Sequence, residues 1–260
     1  MFEQWLNSNF THSLLLSPLM GIVFGALFAG LTKSADNQTP RTIIKTREVY
    51  KERVIYRNGN RSKSNNDDGG IVIAAGVGLL FIIWQYAVWA VEVHQYLSFT
   101  LFGVLSFCLT TTVISLFKGQ FTSNEWWVYI LFPLAFLSLS VYLLGEVKSR
   151  FDPELTPLAK EAGVYKFYFK SLSDYGRTFM ITHVLGVACL TVLILTTTFV
   201  GVHYLSLMNQ RTGGVMQGFW SFMVRATEVV SGRKGTVLST FFGVLSFLLI
   251  NEHIARWTSQ

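Results

Sequence analysis

"FMITHVLGVACLTVLILTTTFVGVHYL", Phe179 to Leu205, runs for 27 residues without one Asp, Glu, Lys or Arg. At about 1.5 Å of rise per residue, a helix of that length outreaches a hydrocarbon layer roughly 30 Å thick. Inside a bilayer no water serves open backbone groups, so an uninterrupted apolar run of this kind reads as a membrane-spanning helix.

The rest of the chain repeats the pattern. Five further runs approach or reach the same length: Ser13–Thr32, Gly70–Val93, Leu97–Phe117, Trp126–Gly145, and Thr236–Ile250 with its flanks. Charged residues make up 14% of the 260, about half the share of soluble domains, which excludes an ordinary water-soluble enzyme. The expected fold class is an all-α integral membrane protein of about six transmembrane helices, with an extramembrane basic loop and an amphipathic connector helix. It divides into a first helix (1–32), the basic loop (33–69), a three-helix hydrophobic block (70–145), a charged connecting segment (146–178) and a C-terminal helix pair with its connector (179–260). Pro18 and Pro133 are expected to kink two of the helices. The stretch Met1–Thr11 holds Glu3 and no Lys or Arg, so the first run lacks the basic flank of a signal peptide and reads as a retained helix. Cys108 and Cys189 lie inside apolar runs and read as reduced packing residues. Trp84, Trp89, Trp126 and Trp127 read as an aromatic belt.

Three hydrophilic stretches carry most of the charge. Lys33–Gly69 holds nine of the 21 basic residues, and Arg41, Lys45, Arg47, Lys51, Arg53 and Arg57 are its candidate contacts to lipid or to a partner. Within it, Val49, Lys51, Arg53 and Ile55 alternate with Tyr50, Glu52, Val54 and Tyr56. That suits strand pairing, including pairing between subunits; a solvated basic linker near anionic headgroups is the other reading. Glu146–Thr178 carries six basic residues, and its "DPELTPLAKEAG" predicts a turn and then a short helix. In Ser206–Gly235, Val215, Met216, Phe219, Trp220, Met223 and Val230 recur at helical spacing against Gln217, Ser221, Arg225 and Glu228, an amphipathic connector.

The net charge of +6 is read as topology and not as nucleic-acid binding. Three crossings separate the nine-charge stretch from the six-charge stretch, which places them on opposite sides. An outward N-terminus puts 14 basic residues inside and seven outside. A re-entrant central segment would bring both stretches inside.

One sentence is written twice: "TLFGVLSFCL" at Thr100–Leu109 and "TFFGVLSFLL" at Thr240–Leu249. In the second copy Thr236, Thr240, Gly243 and Phe247 share a face, widened by Ser239 and Ser246. Thr191 and Thr198 share another, near the run Thr196, Thr197, Thr198 and Gly201. Small residues let membrane helices approach closely, and hydroxyls bond across that approach or back to their own helix, so packing is the simpler account. The functional account makes Thr191, Thr196, Thr197, Thr198, Gly201, Thr236, Ser239, Thr240 and Gly243 the lining of a hydrated path.

The order of a Thr-rich helix "LTTTFVGVHYL", an amphipathic connector and a final "GTVLSTFFGVLSFLLINEHIARW" resembles the pore-forming helix pair of the MotA/TolQ/ExbB proton-channel family. The resemblance covers roughly Phe179–Arg256. It implies pore-facing hydroxyls at Thr196, Thr197, Thr198 and Thr240. It further implies a homo-oligomer, conventionally a pentamer, around a single-span membrane partner bearing an acidic residue. The chain departs from that pattern in having Gly235 and Thr236 where a Glu would precede the final Thr, in lacking a long cytoplasmic region, and in carrying extra segments upstream.

Catalytic signatures are missing. No HExxH, Gly-x-Ser-x-Gly, Walker A or Cys-x-x-Cys pattern occurs, so neither an enzyme nor a cofactor is expected. Ionisable groups at membrane depth are functional candidates by default, which singles out Glu92, His94, His183 and His203. Glu92 and His94 are expected to close the second helix, where ordinary interfacial contact with water is the preferred reading and a functional role the alternative. The leading expectation is a multi-pass subunit of an oligomeric ion-conducting or ion-driven complex in a bacterial cytoplasmic (inner) membrane. A non-conducting scaffold or sensor of a secretion, exclusion or anti-phage assembly is the alternative, and a secondary transporter comes third.

Overall fold

The computed structural model describes residues 68–117, 126–210 and 216–251. The run Ser13–Thr32, the basic loop with Arg41, Lys45, Arg47, Lys51, Arg53 and Arg57, and the strand expected there lie outside the described residues. Two compact units divide the chain, one containing Leu80–Gln260 and the other Ser34–Leu79; of the second, residues 68–79 are described as helix.

Helix accounts for nearly all of the described residues, and no strand occurs among them. In chain order the helices are α1 (Asp68–Val88), α2 (Ala90–Phe117), α3 (Phe132–Arg150), α4 (Leu155–Lys166), α5 (Asp174–Gln210), α6 (Gln217–Thr227) and α7 (Gly232–Ile250). A wide helical turn, Trp127–Leu131, precedes α3 without a break. Four helical stretches among the described residues are long and apolar enough to cross a bilayer: Ala90–Phe117, Trp127–Arg150, Asp174–Gln210 and Gly232–Ile250. The chain is thus read as a multi-pass, membrane-embedded helical protein. Large apolar side chains cover the outside, among them Phe102 at 53% exposure, Phe241 at 58% and Val237 at 69%, a surface suited to acyl chains and not to water.

The chain places one helix boundary elsewhere than its polarity suggests. Glu92 and His94 do not close a helix that began at Gly70. They lie in the opening turns of α2, because the break falls at Trp89, between α1 and α2. Backbone bonds run across the break, from Trp89 N–H to the Gln85 carbonyl and from Val93 N–H to the Trp89 carbonyl, so polar residues beyond it continue a helix instead of forming a loop.

Pro133 acts through the turn that precedes it. Lacking an N–H, it has nothing to donate to the carbonyl four residues back. The ladder widens there, with Phe132 N–H reaching the Trp127 carbonyl, a π-type turn that absorbs the proline. Between α4 and α5, Arg177 gathers another wide turn, Phe167–Ser171. Its Nε and Nη2 donate to the carbonyls of Tyr168 and Phe169 at 3.0 and 2.9 Å, and its Nη1 to Asp174 Oδ1 at 3.0 Å. Burial pushes the Tyr168 phenol above its ordinary range, opposed by the Arg177 charge, so this clamp does not rest on a tyrosinate.

α5 is the central element, packing on α3, α6 and α7. Its contact with α7 is the closest in the bundle. A Cβ added at Gly186 would stand 2.8 Å from Ile250 Cγ1, and one at Gly235 would run into the Val230 carbonyl oxygen and stand 2.7 Å from Val200 Cγ2. The aromatic belt is correspondingly smaller than expected. Trp89 and Trp127 are exposed, but Trp126 is buried and donates to Ser115 Oγ at 2.7 Å, and Trp84 donates to the Ala159 carbonyl of α4 at 2.8 Å. Cys108 and Cys189 are free and buried.

Candidate functional site

Contacts of Ser98 with Lys148, of Phe151 with His94 and His183, and of Gly186 with Ile250 bring the start of α2, the end of α3, the start of α5 and the end of α7 to one end of the bundle. There the histidines His94 and His183 meet one cluster. Tyr86 and His94 share a hydrogen bond of 2.7 Å between Oη and Nε2. Phe151, the residue that ends α3, presents its edge to both, with ring centroids 5.9 and 5.6 Å away. His183 lies behind them against Phe179, Phe151 and Tyr86, at centroid separations of 5.2, 5.9 and 5.9 Å. It is 1% exposed, and neither ring nitrogen has a hydrogen-bond partner. Burying such a group without a partner is unfavourable.

Two clefts flank the cluster. One, of about 420 Å³, opens between α2 and the end of α3 and is lined by His94, Gln95, Ser98, Lys148 and Phe151 among others. The second, of about 440 Å³, lies beside α4, with Arg150, Asp152, Tyr175 and Phe179 in its wall. Glu92 is half-buried in the first turn of α2.

The third histidine belongs to the opposite end. Tyr129 stacks on His203 and Tyr204 with rings 25° apart. Thr227 donates to the Met223 carbonyl at 2.7 Å and shares a hydrogen bond of 2.9 Å with His203 Nδ1. This ties α6 to α5. Sequence order gave no signal for Tyr86, Lys148, Phe151 or Thr227, because each joins its site by a tertiary contact.

Between the two ends lie the hydroxyls. Thr196 Oγ1 and Ser239 Oγ are 3.3 Å apart and both buried, and Ser246 donates to the Gly186 carbonyl at 3.0 Å. Thr196 and Thr197 also donate to the Leu193 carbonyl, Thr191 to Val187 and Thr198 to Ile194. Thr191 and Thr198 are half-buried; Gly201 is too, with room for a Cβ 3.7 Å from Cys108 Sγ. On α7 the expected stripe divides. Ser239 and Gly243 face inward, Thr236 is half-buried, and Thr240 is exposed with its hydroxyl returned to the Thr236 carbonyl at 2.8 Å. The two copies of the repeated sentence therefore have different surroundings: Gly243 packs under Leu139 and Leu193, and Gly103 faces open space.

Among the described residues no three His, Cys, Asp or Glu side chains gather as a metal site would require. No protein-family description, curated protein or solved structure matches the chain.

Proposed function

We propose that the chain is a membrane scaffold or sensor whose α5–α7 seam is a packing contact and whose polar cluster at the Phe151 end is the working site. The observation that carries this reading is the Thr196–Ser239 contact, in which the hydroxyls of the two C-terminal spans bond to each other beside the close approaches at Gly186 and Gly235. Hydroxyls already satisfied by protein have little left to replace an ion's hydration. The reading keeps the six-span topology expected from the sequence and takes the setting to be a bacterial cytoplasmic membrane, within a secretion, exclusion or anti-phage assembly.

One observation favours a second reading. Thr240 is exposed on α7, with half-buried Thr236 one turn before it, where facing copies of the chain in a ring, with an acidic single-span partner, would enclose a path that one chain does not. Proteoliposomes holding the purified protein and a pH-sensitive dye, under an imposed proton gradient, separate the two. Flux no greater than that of empty vesicles is expected. Flux in the wild type that disappears in an assembled Thr198→Val/Thr240→Val double variant would replace the scaffold reading with the ring.

A further inference from the structure

We propose that the cleft between the start of α2 and the end of α3 is a binding site for an anionic glycerophospholipid, whose phosphate is held by Lys148 and whose acyl chain lies along the outer face of α2. The argument starts from an unbalanced charge. Two basic side chains close α3, and they are treated differently: Arg150 pairs with Glu146 at 3.0 Å, whereas Lys148 has no carboxylate in ion-pair range among the described residues. Its ammonium donates once, to Ser98 Oγ at 2.7 Å. Ser98 has spent its own proton on the His94 carbonyl at 2.6 Å, so it can only accept, and it fixes the ammonium over the cleft. Two N–H donors of Lys148 remain for an anion.

Depth supports a headgroup. The span Trp127–Arg150 has 24 residues, about 36 Å of helix against a hydrocarbon core of roughly 30 Å. A residue in its last turn, as Lys148 is, lies at the level of lipid phosphates. The cleft, about 420 Å³, is of a size that holds a small polar ligand, and Gln95 stands on its rim.

Below the cleft the helix continues the site. Val91, Gln95, Ser98 and Phe99 recur at one face, and that face proceeds into the membrane through Phe102, Gly103 and Ser106. Val91 is 59% exposed and Phe99 67%, and a Cβ at Gly103 would meet nothing within 4 Å. This is the first copy of the repeated sentence; in the second, the glycine, Gly243, packs under Leu139 of α3 and Leu193 of α5. Gly103 opens a shallow slot between phenylalanines on the membrane side of the cleft. A cation above an apolar slot is complementary to a phosphodiester above an acyl chain.

The test uses the full chain in nanodiscs of phosphatidylcholine with a minor fraction of phosphatidylglycerol, reading retained lipid by native mass spectrometry after release. Wild type is expected to enrich phosphatidylglycerol, and Lys148→Gln to lower that enrichment about fivefold, as removal of one interfacial positive charge does. Lys160→Gln, an exposed lysine of α4, is expected to leave it unchanged. Gly103→Leu, whose Cβ meets nothing within 4 Å and whose side chain extends into the slot, is expected to lower retention while the melting temperature holds. Equal enrichment in wild type and Lys148→Gln would overturn the site. So would competition by glycerol 3-phosphate as effective as that of the lipid, which would leave a phosphate site without an acyl chain. A disulfide-linked dimer forming through Gly103→Cys in lipid, with phosphatidylglycerol excluded, would assign the slot to a second copy of the chain and refute the proposal.

Discussion

Gly235→Ala is expected to be among the most damaging single-methyl additions in the chain, lowering the melting temperature in detergent well below that of the wild type. The new Cβ would meet the carbonyl oxygen of Val230 and stand 2.7 Å from Val200 Cγ2. A backbone oxygen cannot rotate away as a side-chain terminus can, so the start of α7 must shift against both the turn Glu228–Val230 that precedes it and the Val200 side chain of α5. Overpacking of this kind destabilises by about 1–3 kcal/mol, and the shift also strains the Thr196–Ser239 contact one turn further on. Gly186→Leu acts at the other end of the same seam, driving Ile250 away and separating Ser246 from the carbonyl it bonds. Two controls come from the repeated sentence. Gly243→Ala places its methyl 3.5 Å from Leu139 Cδ2 and 3.7 Å from Leu193 Cδ2, ordinary contact distances, and should melt near wild type. Gly103→Ala meets nothing and exchanges the poorer helix former for the best one, a gain of up to about 1 kcal/mol. If Gly235→Ala melts with the controls, the α5–α7 seam is not packed as described, and the scaffold reading loses the contact on which it rests.

The same glycines show what the sequence can and cannot disclose. Apolar length alone identified the spans that became α2, α3, α5 and α7, because the bilayer requirement acts on composition and needs no partner. Amphipathic spacing from Val215 to Val230 announced a connector helix, which the structure forms at Gln217–Thr227, and the prolines and charges of "DPELTPLAKEAG" announced a turn and a short helix, which it forms at Leu155–Lys166. Two decapeptides alike at eight of ten positions, however, ended in different surroundings, since which face of a helix meets a neighbour depends on its rotation within the bundle. Thr196 and Ser239 are 43 positions apart, and Ser98 and Lys148 are 50. Nothing in either local stretch marks its mate. The break at Trp89 was hidden for a related reason. Glu92, His94 and Gln95 look like a polar interruption, yet His94 is buried because Tyr86 supplies a partner from the far side of the break. Polarity by itself does not distinguish a loop from a satisfied polar group inside a helix.

His183→Phe is expected to stabilise the protein and to silence the cluster in which it sits. Both ring nitrogens of His183 are buried without a partner, a condition that weakens the folded state by about 1–3 kcal/mol. Phe179, Phe151 and Tyr86 already surround the ring with aromatic faces and edges, so a phenyl group of similar shape enters the same space with no polar atom to satisfy. For a chain of this size the gain corresponds to several degrees in melting temperature, by roughly 2–4 °C per kcal/mol, measurable by thermal unfolding in detergent. His183→Ala should instead lose stability, since it opens a cavity among the same three rings. A phenylalanine variant that melts lower than wild type would mean that the imidazole is engaged by a hydrogen bond in the native membrane, and the unpartnered assignment would fall. A variant that is more stable, assembles normally and yet fails in the assembly's activity would identify His183 as a group kept for its chemistry at the expense of stability, the pattern expected of a sensor's working residue.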